Sequence, residues 1–129
     1  MASRNMVHPW ALQRGLVVIA GSFAPNGSSA ISAASNEGLG WSVARTNTGL
    51  YTITFSDKYA ALVSFDLTLQ MNTPAAQVLC AGAFSQSGKT ITITNFTSGS
   101  AADIAANANN RIHFTACFRN SDALPHRGA

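Results

Sequence analysis

Charge is what this sequence most lacks. Only 10% of its 129 residues are Asp, Glu, Lys or Arg, against ~25% in an ordinary soluble domain. So neutral a surface fits either a body partly covered by another subunit or partner, or simply a small protein rich in Ala, Ser and Thr. Cysteine is nearly absent: Cys80 and Cys117 make no disulfide framework, and their spacing is not a zinc pattern. Both fall in expected strands and read as buried free thiols, small apolar side chains in effect. A bridge would need their Cβ atoms within ~4.5 Å. No run approaches the ~20 apolar residues of a membrane helix. Leu16–Ala20 is apolar and follows Arg4 and Arg14, and Ser22-Phe-Ala24 has the small residues of a cleavage site. Pro25 would follow the cut and the apolar core is short, so the expectation is a chain made in the cytoplasm without a cleaved signal. No Lys/Arg run and no interleaving of basic and aromatic residues points to nucleic acid.

Catalytic patterns are missing too. Gly-x-Ser-x-Gly does not occur. Gly38 and Gly40 are followed by neither a lysine nor a helical pattern, so they form no phosphate cradle. His8 and His126 lie near the ends, and His113 has no carboxylate or second histidine at ligand spacing, which makes it a structural histidine. Asp57 ends a strand in Asx-turn position, and Asp66 sits on a polar strand face. The expectation is no enzyme, no cofactor and no metal.

What is present is alternation. Tyr51, Ile53 and Phe55 alternate with Thr52 and Thr54, as a strand half-buried on a core requires, because successive side chains leave opposite faces. Asn47-Thr-Gly49 supplies a turn before it, since Asn and Gly tolerate left-handed backbone. Trp41–Asn47 therefore pairs with it as a hairpin. Val63, Phe65, Leu67, Leu69 and Met71 alternate with Ser64, Asp66, Thr68 and Gln70, and Pro74 ends that strand. Gln77–Ser85 follows with Val78, Cys80 and Phe84 on one face. Lys89–Thr97 has Ile91 and Ile93 inward, and Phe96 breaks the phase, so a bulge is expected near Asn95. Arg111–Arg119 closes the chain with Ile112, Phe114, Ala116 and Phe118 on one face. Leu16–Phe23, nearly all apolar, reads as a first strand buried on both sides. Between Ser98 and Asn110 the composition is that of a loop, with one helical turn possible at Asp103–Asn107.

About seven strands with regular turn signals predict an all-β fold: an antiparallel β-sandwich or small barrel, jelly-roll-like, with an extended N-terminal arm. The expected core is Tyr51, Ile53, Phe55, Val63, Phe65, Leu67, Leu69, Ile91, Ile93, Phe114 and Phe118. The domain spans 16–121, flanked by an arm at 1–15 and a polar tail at 122–129. Pro9 and Gly15 interrupt the arm, so it reads as extended.

The placement of the few charges is uneven. Arg4, Arg14, Arg119 and Arg127 lie in the two terminal segments, where Asp122 is the only acid, while the segment between is balanced. Basic arms on a neutral body suit docking to an acidic surface. Trp10 is the candidate apolar anchor of the arm, since a large aromatic buries the most surface for little lost freedom. Arg4, Trp10, Arg14, Arg119 and Arg127 are thus the candidate partner-binding residues.

Thr48-Gly-Leu-Tyr-Thr-Ile-Thr-Phe-Ser-Asp57 with Tyr59 and Leu62-Val-Ser64, then Ala105-Ala-Asn-Ala-Asn-Asn-Arg-Ile-His-Phe-Thr115 with Phe118-Arg-Asn-Ser121, resembles small structural proteins encoded by tailed bacteriophages. The likeness covers roughly residues 38–121. It is a pattern of strands and loops, and it defines no functional residues that could be carried over. A Gly-x-Tyr strand early and an aromatic closing strand late also resembles trimeric C1q-like sandwiches. The phage resemblance implies a virion component without enzymatic activity: a capsid decoration (cement) protein on the outer capsid surface, bound to the major capsid protein. The other setting it implies is a tail-fibre or receptor-binding module, for which the chain carries no coiled-coil stalk. A homotrimer is expected, since trimers match the local three-fold positions of a shell.

Overall fold

Residues 15–119 are described in the computed structural model. Their alternation of β-branched and aromatic residues with Ser and Thr becomes eight strands: β1 (Leu16–Phe23), β2 (Trp41–Asn47), β3 (Leu50–Phe55), β4 (Ala61–Gln70), β5 (Val78–Ser85), β6 (Thr90–Thr97), β7 (Ser100–Ala101) and β8 (Arg111–Arg119). They form two antiparallel sheets packed as a sandwich. Sheet A has the order β1-β8-β4, and sheet B the order β2-β3-β6-β5, with the two-residue β7 also on β6. The chain changes sheet at 24–40, 56–60, 71–77 and 102–110. The first and last described strands therefore lie side by side. No described helix is long and apolar enough to cross a membrane.

The core is where the two inner faces meet. Ile19, Phe23, Ile112, Phe114, Ala116 and Phe118 come from sheet A; Trp41, Tyr51, Ile53, Phe55, Ile91 and Ile93 come from sheet B. Tyr59 and Ile104 are added by crossovers. Burying a large apolar side chain contributes ~1.5–3 kcal/mol, so these positions carry the fold. Their aromatic rings meet edge to face or tilted: Trp41 against Phe114 at 4.8 Å, and Phe55 against Phe118 at 4.7 Å. Tyr59 stacks on Phe118 at 4.5 Å.

Several expectations need correction. Val63 is 51% exposed, because the β4–β8 register shifts between Leu62 and Ser64 and the bulge turns Val63 out of the core. Phe65, Leu67 and Leu69 face the core but are only half-buried, since β4 is an edge strand. β1 is an edge strand as well, with Val18 60% exposed on its open outer face, so it is not buried on both sides. On β5 a bulge between Ala81 and Phe84 splits the expected face: Phe84 packs on the core while Val78 and Cys80 point outward. No bulge occurs at Asn95. It keeps the inward phase of Ile91 and Ile93 and is fully buried, and Phe96 faces outward. Residues 102–107 have no regular secondary structure, so the helical turn expected there does not form.

Candidate docking surfaces

The one salt bridge among the described residues looks at first like a site. Arg45 on β2 donates from Nε and Nη2 to the two carboxylate oxygens of Asp103, each at 2.8 Å. The fork of a guanidinium fits a carboxylate in this bidentate way. Asp103 Oδ1 also accepts the Gly49 N–H at 2.8 Å. One residue on, the Ile104 N–H donates to the Tyr51 hydroxyl, and one residue before, the Ala102 N–H donates to the Asn95 carbonyl. Asn95 Nδ2 donates to the Ala102 carbonyl and to Gln77 Oε1. Gly49 has φ +66°, and a Cβ there would lie 2.7–2.9 Å from backbone atoms of Ala102 and Asn95. The cluster is a staple: it ties the β2–β3 turn to the crossover that seats Ile104 in the core. Its hydrogen bonds hold chain to chain, and the buried Asn95 Oδ1 has no partner among the described residues.

Electrostatics follow from that geometry. The hydrogen bond from Arg45 holds the Asp103 carboxyl below its ordinary range; partial burial opposes this and the Gly49 N–H reinforces it. The same pair raises Arg45, and burial raises the Tyr51 hydroxyl. A carboxyl with a depressed folded pKa adds stability above its unfolded value of ~3.9, and that contribution is lost as pH falls through the folded value. Asp103→Asn is therefore expected to melt lower than wild type at neutral pH. The gap should close below about pH 4. A gap that stayed constant from neutral pH to the acid limit in thermal melts would refute the assignment.

The outer face of sheet B has a different character. Its cross-strand rows run Ser42–Thr54–Thr90–Ser85 and Ala44–Thr52–Thr92, and then Leu50–Thr94–Cys80 and Phe96–Val78. None of these side chains is charged. Thr46 and Thr52 hydroxyls lie 3.3 Å apart, and Thr92 Oγ1 leans over Gly82, where a Cβ would meet it at 2.2 Å. The outer face of sheet A is more mixed: Val18, Ala20, Ser64 and Thr68 share it with Asp66, Cys117, Arg119 and His113. His113 Nε2 is 2.8 Å from Gln70 Oε1.

Both cysteines are free. Cys80 is exposed on the outside of sheet B and Cys117 half-buried on the outside of sheet A, so neither is the buried thiol expected. Being on opposite outer surfaces, they cannot approach for a bridge. Of the candidate partner-binding residues, Arg119 ends β8, and its Nε has no hydrogen-bond partner among the described residues. Arg4, Trp10, Arg14 and Arg127 lie outside the described residues.

A shallow cavity of about 380 Å³ opens between the 24–35 loop and the 106–108 segment. Its lining is mostly apolar, with Asn26, Ser32, Ser35 and Asn107 as its polar side chains. Among the described residues, no group of three or more His, Cys, Asp or Glu side chains is placed to hold a metal ion. Sequence reasoning missed the staple and the buried Asn110, whose Oδ1 accepts the Asn72 N–H and whose Nδ2 donates to the Ala105 carbonyl. These contacts span 38–58 positions of sequence for Asn72–Asn110 and Arg45–Asp103, and no local pattern announces them. The chain has no significant match among protein-family models, curated proteins or solved structures.

Proposed function

We propose that the chain is a non-enzymatic structural subunit, a capsid decoration protein that binds and stabilises the shell formed by the major capsid protein, itself assembled as a homotrimer. The observation that carries this reading is the outer face of sheet B. It is a four-strand surface of Thr, Ser, Ala and a few apolar side chains with no charged group on it. Laying another protein against such a face strips water from no charge, and unpaired buried charges are the costliest thing an interface can create. The resemblance of residues 38–121 to phage structural proteins supplies the setting. The sandwich gives a rigid body, the uncharged face the subunit contact, and the basic terminal segments the attachment to the shell.

The number of copies per virion tests the role. Hundreds of copies on the capsid support decoration, whereas a handful at the tail would replace it with the tail-module reading. Deleting residues 2–14 should abolish capsid binding and leave the sandwich folded. Thr92→Lys, at the centre of the uncharged face, should prevent subunit association, and a variant that still assembles would show that this face is not the contact.

A further inference from the structure

β5, at one edge of sheet B, is unlike the other three edges of the sandwich. Each of those carries a feature that blunts pairing with another chain. β4 has Asp66 and the register shift after Leu62, and β2 has Arg45 and a shift before Asn47. β1 is paired at Ser22 with Glu37, by N–H···O bonds of 3.0 and 2.8 Å in the two directions. No charged residue lies between Asp66 and Lys89, and β5 comes wholly from that stretch. It contains no proline, and its bulge begins only after Ala81. Val78, Cys80, Ala81, Gly82 and Ala83 are exposed on it.

Which backbone groups this edge offers follows from the pairing of β6. The Asn95 N–H donates to the Gly49 carbonyl, and the Phe55 N–H donates to the Lys89 carbonyl, both at 2.8 Å. Odd-numbered residues of β6 therefore bond towards β3, while Thr94 and Phe96 are turned the other way, towards β5. Their partners there are Cys80 and Val78. Leu79 and Ala81 then direct both N–H and C=O away from the sheet, and no described group bonds them on that side. Two such residues, one position apart from their shared neighbour Cys80, are their own complement in an antiparallel pairing. Leu79 of one copy exchanges both bonds with Ala81 of the other, and a two-fold axis repeats the exchange.

We propose that residues 78–82 of β5 join two copies of this chain edge to edge about a two-fold axis, running the two copies of sheet B into one continuous sheet. In this register Cys80 faces Cys80 of the second copy as a non-hydrogen-bonded pair, with Cα atoms ~4.5 Å apart. Val78, 58% exposed, comes to lie beside Gly82 of the second copy, which has no side chain to obstruct it. No charge on β5 is stripped of water or set against a like charge. The bulge after Ala81 keeps the pairing short, and the two-fold axis uses each edge once, so the contact closes and does not run on into a fibre. This contact goes beyond the structural-subunit reading. It lies on the edge of sheet B and not on the face proposed for the trimer, so it would link one trimer to the next.

The test is oxidation of the full chain by diamide in a Cys117→Ser background, which leaves Cys80 as the only thiol. Diamide takes up the two electrons and two protons that the thiols release as the S–S bond forms. A Cα separation of ~4.5 Å lies within the disulfide span of ~4.4–6.8 Å, so a linked dimer should form in the folded protein and not after unfolding in urea. Moving the thiol to Val78→Cys, with Cys80→Ser, sets the two sulfurs ~13 Å apart along the strand and should give no dimer. Ala81→Pro removes a donor on the open side without touching the bonds to β6, and should slow cross-linking by about tenfold. Cys80→Lys puts like charges face to face at an exposed position and should weaken self-association in sedimentation by about the same factor. Circular dichroism checks that each variant is folded. Thr52→Lys charges the face of sheet B away from β5 and should leave the Cys80 cross-link as it was. A Cys80 thiol that gives no dimer, a Val78→Cys chain that links equally well, a Cys80→Lys chain that associates as wild type does, or loss of the Cys80 link in Thr52→Lys would each overturn the proposal. No capsid is used, so a chain that links through Cys80 but is found at the tail keeps the two-fold contact and loses the decoration role.

Discussion

Phe118→Ala is expected to lower the free energy of unfolding by about 3–5 kcal/mol, the range for truncating a fully buried aromatic. Phe118 is 0% exposed on the central strand of sheet A. Its ring is enclosed by Phe55 at 4.7 Å, Tyr59 at 4.5 Å and Phe84 at 5.3 Å. Those three come from β3, from the 56–60 crossover and from β5, so one side chain joins both sheets and a loop. Removing it leaves a cavity lined by rigid rings that cannot easily collapse, which places the cost towards the upper end. Domains of this size have only ~5–15 kcal/mol to lose. Equilibrium urea unfolding measures the difference. Phe118→Leu, which keeps much of the volume, should cost less. A loss under ~1 kcal/mol for the alanine variant, below the whole range for such truncations, would mean that the ring is not the hub its contacts describe.

The same residue shows how much of the fold could be read in advance. Period-2 alternation alone places Phe118, Phe114, Tyr51, Ile53, Ile91 and Ile93 inward, and all are buried. Alternation succeeds there because these are central strands with one face on the core. It fails at Val63 and within β5, where a single bulged residue puts the two parts of the strand out of phase with one another. Trp41 and Ile104 went unread for another reason. Trp41 opens a hairpin strand whose inner face is short, and Ile104 lies in an Asn- and Ala-rich crossover with no period at all. Asn95 was misread because a buried Asn breaks the apolar pattern while obeying the geometric one. Its Nδ2 is satisfied by Gln77 and Ala102, partners that only the folded chain supplies. The candidate surface was partly visible. The threonines of β3 and β6 mark an uncharged face, and the arginines near the termini mark basic arms. What the sequence could not show is that the charge-free stretch before Lys89 supplies the edge of sheet B, because strand order is set by partners far along the chain.

Gly21→Val sets propensity against packing, and packing is expected to win by ~3 kcal/mol, the upper end of the range for overfilled cores. Valine is favoured over glycine in a strand, so local preference alone would make the variant more stable. Gly21 lies on the inner face of β1 opposite Phe114, and the indole of Trp41 covers it. A Cβ at Gly21 would fall 2.4 Å from two ring carbons of Trp41 and 2.5 Å from its Nε1, closer than any real contact. The indole has nowhere to retreat. It meets Phe114 edge-on at 4.8 Å and Phe23 at 6.2 Å, and Gly38 lies close against its nitrogen. β1 and β2 are the edge strands of their two sheets on this side, so the Trp41–Gly21 contact closes the sandwich there, and forcing it apart separates the sheets. Trp41→Leu should make room. The double variant Gly21→Val/Trp41→Leu is expected to be more stable than the sum of the two single changes predicts, by up to about 3 kcal/mol of coupling. Urea unfolding of the four proteins in the cycle gives that number directly. Strict additivity, or a Gly21→Val variant as stable as wild type, would show that the indole does not rest on Gly21.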